Sequence, residues 1–225
     1  SEAIARRFEK LGPPCVIVRN YPLRGELRII PRRPIPDRAR KLAYVGGISR
    51  ERGIPEIVHA LERADSSLGV RLELAGPYLG VGLREELSGY AGWRFVDDLG
   101  YLGRDKVRDL LEDCLAGILL FHPLQNHVEA MPNKLFEYMD AGLPIIASDF
   151  PLWRSIIERH GCGLLVAPGD SEALIQAVER LAKNPEEAEN MGLGGQIAVD
   201  KEYNWDTQGK ELVNLYHRLG ELGWI

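Results

Sequence analysis

Three cysteines, Cys15, Cys114 and Cys162, are all that 225 residues carry, far apart and without any Cys-x-x-Cys spacing. An odd number so placed excludes a disulfide framework, and reduced, buried thiols are expected. Long apolar runs are missing as well. The longest, near Leu115–Phe121, falls well short of the ~18 residues that span a bilayer. No signal-peptide pattern opens the chain, so a cytoplasmic protein is expected. Positive charge is not in surplus either: 28 Lys and Arg face 33 Asp and Glu, for a net charge of −5. That balance excludes a protein that coats nucleic acid, because phosphate neutralisation needs a basic surface. Also absent are the Gly-x-Gly-x-x-Gly dinucleotide fingerprint, the Gly-Lys-Ser/Thr ending of a P-loop and the Gly-x-Ser-x-Gly elbow of serine hydrolases.

What remains is an ordinary globular composition, 45% hydrophobic and 27% charged, at a length suited to one large domain and too short for two. One stretch departs from it. Between Arg19 and Lys41, the cations Arg19, Arg24, Arg28, Arg32, Arg33, Arg38, Arg40 and Lys41 face only Glu26 and Asp37, and Pro22, Pro31, Pro34 and Pro36 interrupt regular structure. The stretch reads as a solvated linker, with peripheral contact to an anionic membrane surface as the weaker reading. The chain opens on Ser1 inside a helical pattern, Ser1–Leu11, followed by a strand end at Val16–Val18. Residues 1–40 are therefore expected to be the remnant of an N-terminal domain plus an interdomain linker, and 41–225 a C-terminal domain, the whole being a piece of a longer polypeptide.

From Leu42 onward the pattern is regular. Apolar β-type segments at Leu42–Val45, Val70–Ala75, Trp93–Val96, Gly117–Phe121, Pro144–Ala147 and Gly163–Val166 alternate with stretches of helical spacing. Several are apolar on both faces, which requires helices on both sides of a parallel sheet. The expected fold is α/β, a Rossmann-like doubly wound parallel sheet. Asp170-Ser171 offers an N-cap to Glu172–Lys183, Pro185 opens the next helix from its first position, and Leu212, Leu215, Tyr216 and Leu219 mark a final amphipathic helix.

In such a sheet ligands bind beyond the carboxyl ends of the strands. Four loops lie there: Gly46–Gly53, Gly76–Gly80, Asp97–Gly103 and His122–Glu137. The first has paired glycines, Gly46 and Gly47, and two arginines, Arg50 and Arg52, before a helix start, a combination that admits an anion. In the last, Pro132 fits the first turn of a helix, which places Asn133, Lys134 and free backbone N–H groups at a phosphate site. Glu129 and Glu137 flank that helix start and can accept hydrogen bonds from sugar hydroxyls at two points of one ligand. His122, His127 and Glu129 match no zinc-ligand spacing, so no metal is expected; His127 reads as a cleft residue, and His59, His160 and His217 as ordinary helix residues.

The segment His127–Met139 with Gly142-Leu-Pro-Ile-Ile-Ala-Ser148 resembles the Glu-x7-Glu signature, and the Gly-x-Pro strand behind it, of the family four (group 1) retaining glycosyltransferases. Tyr44-Val-Gly-Gly with Arg52-Gly53, Leu74-Ala-Gly76, Gly100-Tyr-Leu-Gly103, Gly163-Leu-Leu-Val166 and Tyr203-Asn-Trp205 follow in the family's order, so the resemblance runs from Val16 to about Leu219. It implies the C-terminal, nucleotide-sugar-binding domain of a two-domain GT-B enzyme, transferring a hexosyl group from a nucleoside-diphosphate sugar to a glycan or lipid-linked acceptor in envelope or polysaccharide synthesis, with no cofactor. Residue by residue, it implies that Glu137 accepts the ribose diol and Glu129 contacts the transferred sugar. Backbone around Met131, Pro132, Asn133 and Lys134 would hold the diphosphate, which Arg52 and Lys134 neutralise. Gly76, Tyr101 and Leu102 line the base pocket. Gly47 departs from the family, where an arginine commonly follows the first glycine; Arg50 is expected to compensate. The family's acceptor site and an important histidine belong to an N-terminal domain of which this chain has at most the end, so the chain alone is expected to bind nucleotide sugar and transfer little. A nucleotide-sugar epimerase and a non-catalytic nucleotide-binding subunit are the alternatives.

Overall fold

Six strands, all parallel, form one sheet: β1 (Lys41–Val45), β2 (Arg71–Ala75), β3 (Val96–Gly100), β4 (Ala116–Leu119), β5 (Ile145–Ser148) and β6 (Gly163–Val166), in the order β3-β2-β1-β4-β5-β6. The computed structural model describes residues 5, 6, 8, 11, 12, 15–28, 30, 31, 33–35, 38, 40–64 and 69–223. The strand order is that of the Rossmann fold, and it reverses between β1 and β4, where a crevice opens at the carboxyl ends. Alternate residues of the central strands enter opposite cores, as a period of two dictates. Leu42, Tyr44, Ile118 and Ile146 pack on one side, and Ala43, Leu119, Ile145 and Ala147 on the other.

Two expected strands need correction. Trp93 lies in a 3₁₀ turn, Ala91–Phe95, and the strand begins only at Val96, so much of the supposed loop Asp97–Gly103 is strand. The turn lies tight on the helix α1 (Ile54–Arg63), since a Cβ on Gly92 would stand 1.9 Å from the Val58 carbonyl oxygen. The true strand is at the sheet edge, where its charges find partners: Asp97 accepts from Arg71 at 2.5 and 2.7 Å, and Asp98 accepts from Arg84 at 2.7 Å. Val16–Val18 is not a strand. Of the expected first helix, Ala5, Arg6 and Phe8 are helical; residues 1–4, 7, 9 and 10 lie outside the described residues.

The connecting helices are α1, α2 (Leu83–Ser88), α3 (Arg104–Glu112), α4 (Gln125–Val128), α5 (Asn133–Asp140), α6 (Pro151–His160), α7 (Ser171–Lys183), α8 (Pro185–Lys201) and α9 (Trp205–Glu221). Helix α1 buries Ile54, Ile57, Val58 and Leu61, one stripe at helical spacing. Asp170 caps α7 through the Ala173 N–H, and Asn204 caps α9 through that of Thr207. In α9, Leu212, Leu215 and Leu219 are half-buried and Tyr216 is exposed. Cys114 and Cys162 are buried, while Cys15 is only half-buried.

The basic connector is no solvated linker. Tyr21, Leu27 and Ile35 are buried in the core. Asp140, fully buried at the end of α5, accepts the N–H groups of Gly25 and Leu27 at 3.0 and 2.9 Å and the Arg28 guanidinium at 2.9 Å. Arg28 also reaches Asp200, Arg33 pairs with Asp113, Lys41 with Glu73 and Arg24 with Asp206. Arg32 and Asp37 lie outside the described residues.

Candidate anion and sugar site

The crevice between β1 and β4 is built first from backbone. After β1 the chain passes Gly46 at φ +126°, then a 3₁₀ turn Arg50–Arg52, and reaches α1 through Gly53. Gly76, at φ +145° after β2, lies against Gly46: a Cβ on Gly76 would stand 2.0 Å from the Gly46 carbonyl oxygen, so only glycine permits the two loops to meet. Arg52 folds back to donate to the Gly47 carbonyl at 3.0 Å, which also accepts the Tyr44 hydroxyl at 2.7 Å. The place of a side chain at Gly47 is filled by Leu79 and by the Arg52 guanidinium, 2.5 and 2.8 Å from where its Cβ would be.

Helix α5 supplies the opposite wall. Pro132 is its N-cap rather than its first helical residue, with φ −70° and ψ 136°, and no side chain caps the helix. Its first N–H groups, those of Asn133 and Lys134, therefore have no partner within the helix. Six of its eight residues are buried, and Asn133 and Glu137, four apart, form its one outward stripe. Its orientation is set by Tyr138. The ring fills the space over Gly117, where a Cβ would come within 2.4 Å of it, and the hydroxyl accepts the Val45 N–H at 3.0 Å.

Lys134, expected at this site, is buried. Its Nζ is buried and has no hydrogen-bond partner among the described residues. It lies 3.8 Å from the Tyr44 ring centroid and 5.6 Å from that of Phe121, which the Arg52 guanidinium shares at 5.5 Å. The aromatic faces partly compensate the charge. Burial, reinforced by the positive charge of Arg52, pushes the ammonium down to about 7, against a smaller opposing pull from Glu137. A buried cation without an acceptor is costly unless something outside the chain completes it.

Two hollows open beside the start of α5 and share Asn20, Tyr21 and Asn133 in their walls. The larger, ≈ 700 Å³, is lined by Glu129, Gln125, Asn126, Met131 and Leu152, and the smaller, ≈ 390 Å³, by Glu137, Arg104, Glu26 and Trp205. Glu129 is exposed and, among the described residues, unpaired; Glu137 is half-buried and accepts from Arg104 at 2.7 Å. The loop carrying Glu129 is held by Trp153, whose Nε1 donates to the Ala130 carbonyl at 2.8 Å, and by His127, packed on Phe121 with Nδ1 3.1 Å from the His122 carbonyl oxygen.

The structure thus brings Gly46, Gly47, Arg52, Gly76 and Lys134 together at the β1 loop, and places Asn133 with Glu129 and Met131 in the larger hollow and Glu137 in the smaller. Leu102 is half-buried against the core, whereas Tyr101 is 82% exposed. Arg50 does not join them. Its guanidinium is bonded to Glu86 on α2, so it does not compensate for Gly47 as expected. Residue spacing does not reveal the roles of Tyr44, the next-to-last residue of β1, and Phe121, two residues past β4, or of Arg104, whose partners are distant in sequence. His122, whose Nε2 lies 2.9 Å from Glu56, ties the last loop to α1.

A doubly wound sheet whose carboxyl-end loops leave cations unneutralised beside two carboxylates can accept an anion next to hydroxyl groups. The family model for glycosyl transferases group 1 matches residues 26–196, and the chain belongs to that family. It is 33% identical over 95 residues to a phosphatidyl-myo-inositol mannosyltransferase of Mycobacterium leprae, 42% of this chain and 25% of that protein. It is 24% identical over 183 residues to an uncharacterized glycosyltransferase of Methanocaldococcus jannaschii, 81% of this chain and 46% of that protein. The chain therefore spans less than half the length of these curated relatives. In fold it is similar to Anabaena HepE solved with UDP, with a TM-score of 0.78 at 16% identity over 97% of this chain and 62% of that one. It is similar also to sucrose-phosphate synthase of Thermosynechococcus elongatus, with a TM-score of 0.75 at 19% identity over 98% and 56%. These neighbours are GT-B glycosyltransferases.

Proposed function

We propose that this chain is the donor-binding domain of a retaining glycosyltransferase, which takes a hexosyl group from a nucleoside-diphosphate sugar and delivers it to a glycan or lipid-linked acceptor. The observation that carries the reading is the pair of cations in the cleft, Arg52 without an ion pair and Lys134 buried without a hydrogen-bond partner among the described residues, beside the uncapped start of α5. A diphosphate supplies what they lack. Glu137, in the smaller hollow, accepts the ribose diol, and Glu129, among the amides of the larger one, meets the transferred sugar. HepE has been solved with UDP-glucose, which supports a nucleotide sugar as ligand. The amylovoran biosynthesis glycosyltransferase of Erwinia amylovora, 26% identical over 124 residues, supports polysaccharide synthesis.

In the longer enzyme the bond from the anomeric carbon to the diphosphate oxygen breaks, and the electron pair leaves with the diphosphate. Arg52, Lys134 and the α5 N–H groups stabilise that growing charge more than the ground state, which is what lowers a barrier. The acceptor and the groups that bind it belong to the other domain, so this chain alone binds donor and transfers little or no sugar. Calorimetric titration with uridine, guanosine, adenosine and cytidine diphosphates tests the reading. One base should bind selectively, and Glu137→Ala should weaken it roughly 10–100-fold, the loss of a charge-assisted hydrogen-bond pair. Equal affinity in the variant, or no binding by either this chain or the longer enzyme, refutes it.

A further inference from the structure

The smaller hollow is crossed by a side chain that the donor reading does not use. Arg104, the first residue of α3, donates from Nη1 to Glu137 Oε1 at 2.7 Å and from Nε to Glu26 Oε1 at 2.8 Å. Its guanidinium is planar and donates in fixed directions, so a carboxylate engaged by one of its N–H groups is held in orientation as well as in place. Among the described residues, no hydrogen bond reaches Glu137 Oε2. Glu26, on the far side of Arg104, sits between Gly25 and Leu27, whose N–H groups are both on Asp140, about one turn along α5 from Glu137. The chain Glu137–Arg104–Glu26 thus closes a loop that begins and ends on one helix. An isolated half-exposed ion pair contributes little, but here both glutamates sit on backbone tied to the core, Glu137 on α5 and Glu26 between the two residues bonded to Asp140.

We propose that Arg104 is a positioning residue for the nucleoside. It occupies Oε1 of Glu137 and leaves Oε2 turned toward the hollow to accept the vicinal diol of a ribose, and through Glu26 it makes that orientation depend on the docked connector. Arg104 touches no reacting atom; it acts through Glu137. Discrimination between ribose and a sugar lacking the diol follows from it. This rests on the reading of Glu137 as the ribose acceptor.

Each of the four ribonucleoside diphosphates is titrated beside its 2′,3′-dideoxy analogue, using the unaltered chain, Arg104→Gln, Arg104→Lys and Glu137→Gln. The unaltered chain is expected to prefer the ribonucleotide about tenfold. Arg104→Gln should remove most of that preference while leaving the dideoxy affinity unchanged, and Arg104→Lys should restore only part of it, because an ammonium does not fix a carboxylate in plane. A variant that merely unfolds would lose both nucleotides together, and the dideoxy titration reads that directly. If Glu137→Gln loses the preference and Arg104→Gln keeps it, the role of Arg104 is overturned and the ribose reading stands. If Glu137→Gln keeps the preference, or if the unaltered chain shows none, the ribose reading fails and this inference fails with it.

Discussion

Arg28, Arg33 and Lys41, on the connector side, lie 2.9, 2.5 and 2.6 Å from carboxylate oxygens, whereas Arg52 and Lys134, in the cleft, have no ion-pair partner among the described residues. Both sets are partly or wholly withdrawn from water, so both bear a desolvation cost. The connector cations offset it within the chain. Those of the cleft do not, and the deficit is the measure of what a ligand must supply. Burial alone therefore does not separate a structural cation from a functional one; the presence of an internal counter-charge does.

The largest effect should come from breaking the neutralised set. Asp140→Ala removes the acceptor of two backbone N–H groups and strands Arg28, at a cost of about 3–5 kcal/mol. Denaturant unfolding would show it as a lower midpoint; an unchanged midpoint would mean that the connector is not held by Asp140.

Relieving the other set should act in the opposite direction. Lysine in an unfolded chain keeps its proton to about pH 10.4, but Lys134 in the fold only to about 7. Between those values the unfolded state binds more protons, so Lys134 makes stability rise with pH, and below about pH 7 its full cost is present. Lys134→Met should accordingly raise the unfolding midpoint of the ligand-free chain at pH 6–7. Each tenfold loss of proton affinity on folding corresponds to about 1.4 kcal/mol, so the gain is on the order of a few kcal/mol, less the lost contact with Tyr44. It should shrink toward pH 10. The same variant should lose diphosphate binding, and in the unaltered chain that binding should weaken as pH rises above 7. A variant no more stable at pH 6 than at pH 10, relative to the unaltered chain, would contradict the buried charge.

The smallest contrast is between neighbours. Arg52→Ala should weaken nucleoside diphosphate binding about tenfold, as expected for a charged hydrogen bond. Arg50→Ala, whose guanidinium serves Glu86, should leave that affinity unchanged. Loss of binding in both would show that the turn, rather than one side chain, makes the site.

Much of the fold is legible in residue spacing, since both faces of β1, β4 and β5 are covered and their sequences are continuously apolar. β3 is misplaced by the same spacing for the converse reason. As an edge strand it carries Asp97 and Asp98, and the more apolar Trp93–Phe95 beside it packs on α1 instead. The cleft is legible where one loop carries it, from Glu129 to Glu137. It is illegible where it depends on contacts across the sheet: Tyr44 beneath Lys134, Arg104 on Glu137, Glu86 diverting Arg50. No local pattern encodes a pairing between residues tens of positions apart.

Tyr138 sits one residue after Glu137 and four after Lys134, with its ring keyed over Gly117. A helix advances about 100° per residue, so a rotation of α5 by a single position would carry Glu137 out of its hollow and Lys134 off Tyr44 together. Gly117 therefore sets the phase of the whole helix, and a bulkier residue on a buried strand, touching no ligand, would detune the carboxylate and the ammonium at one stroke.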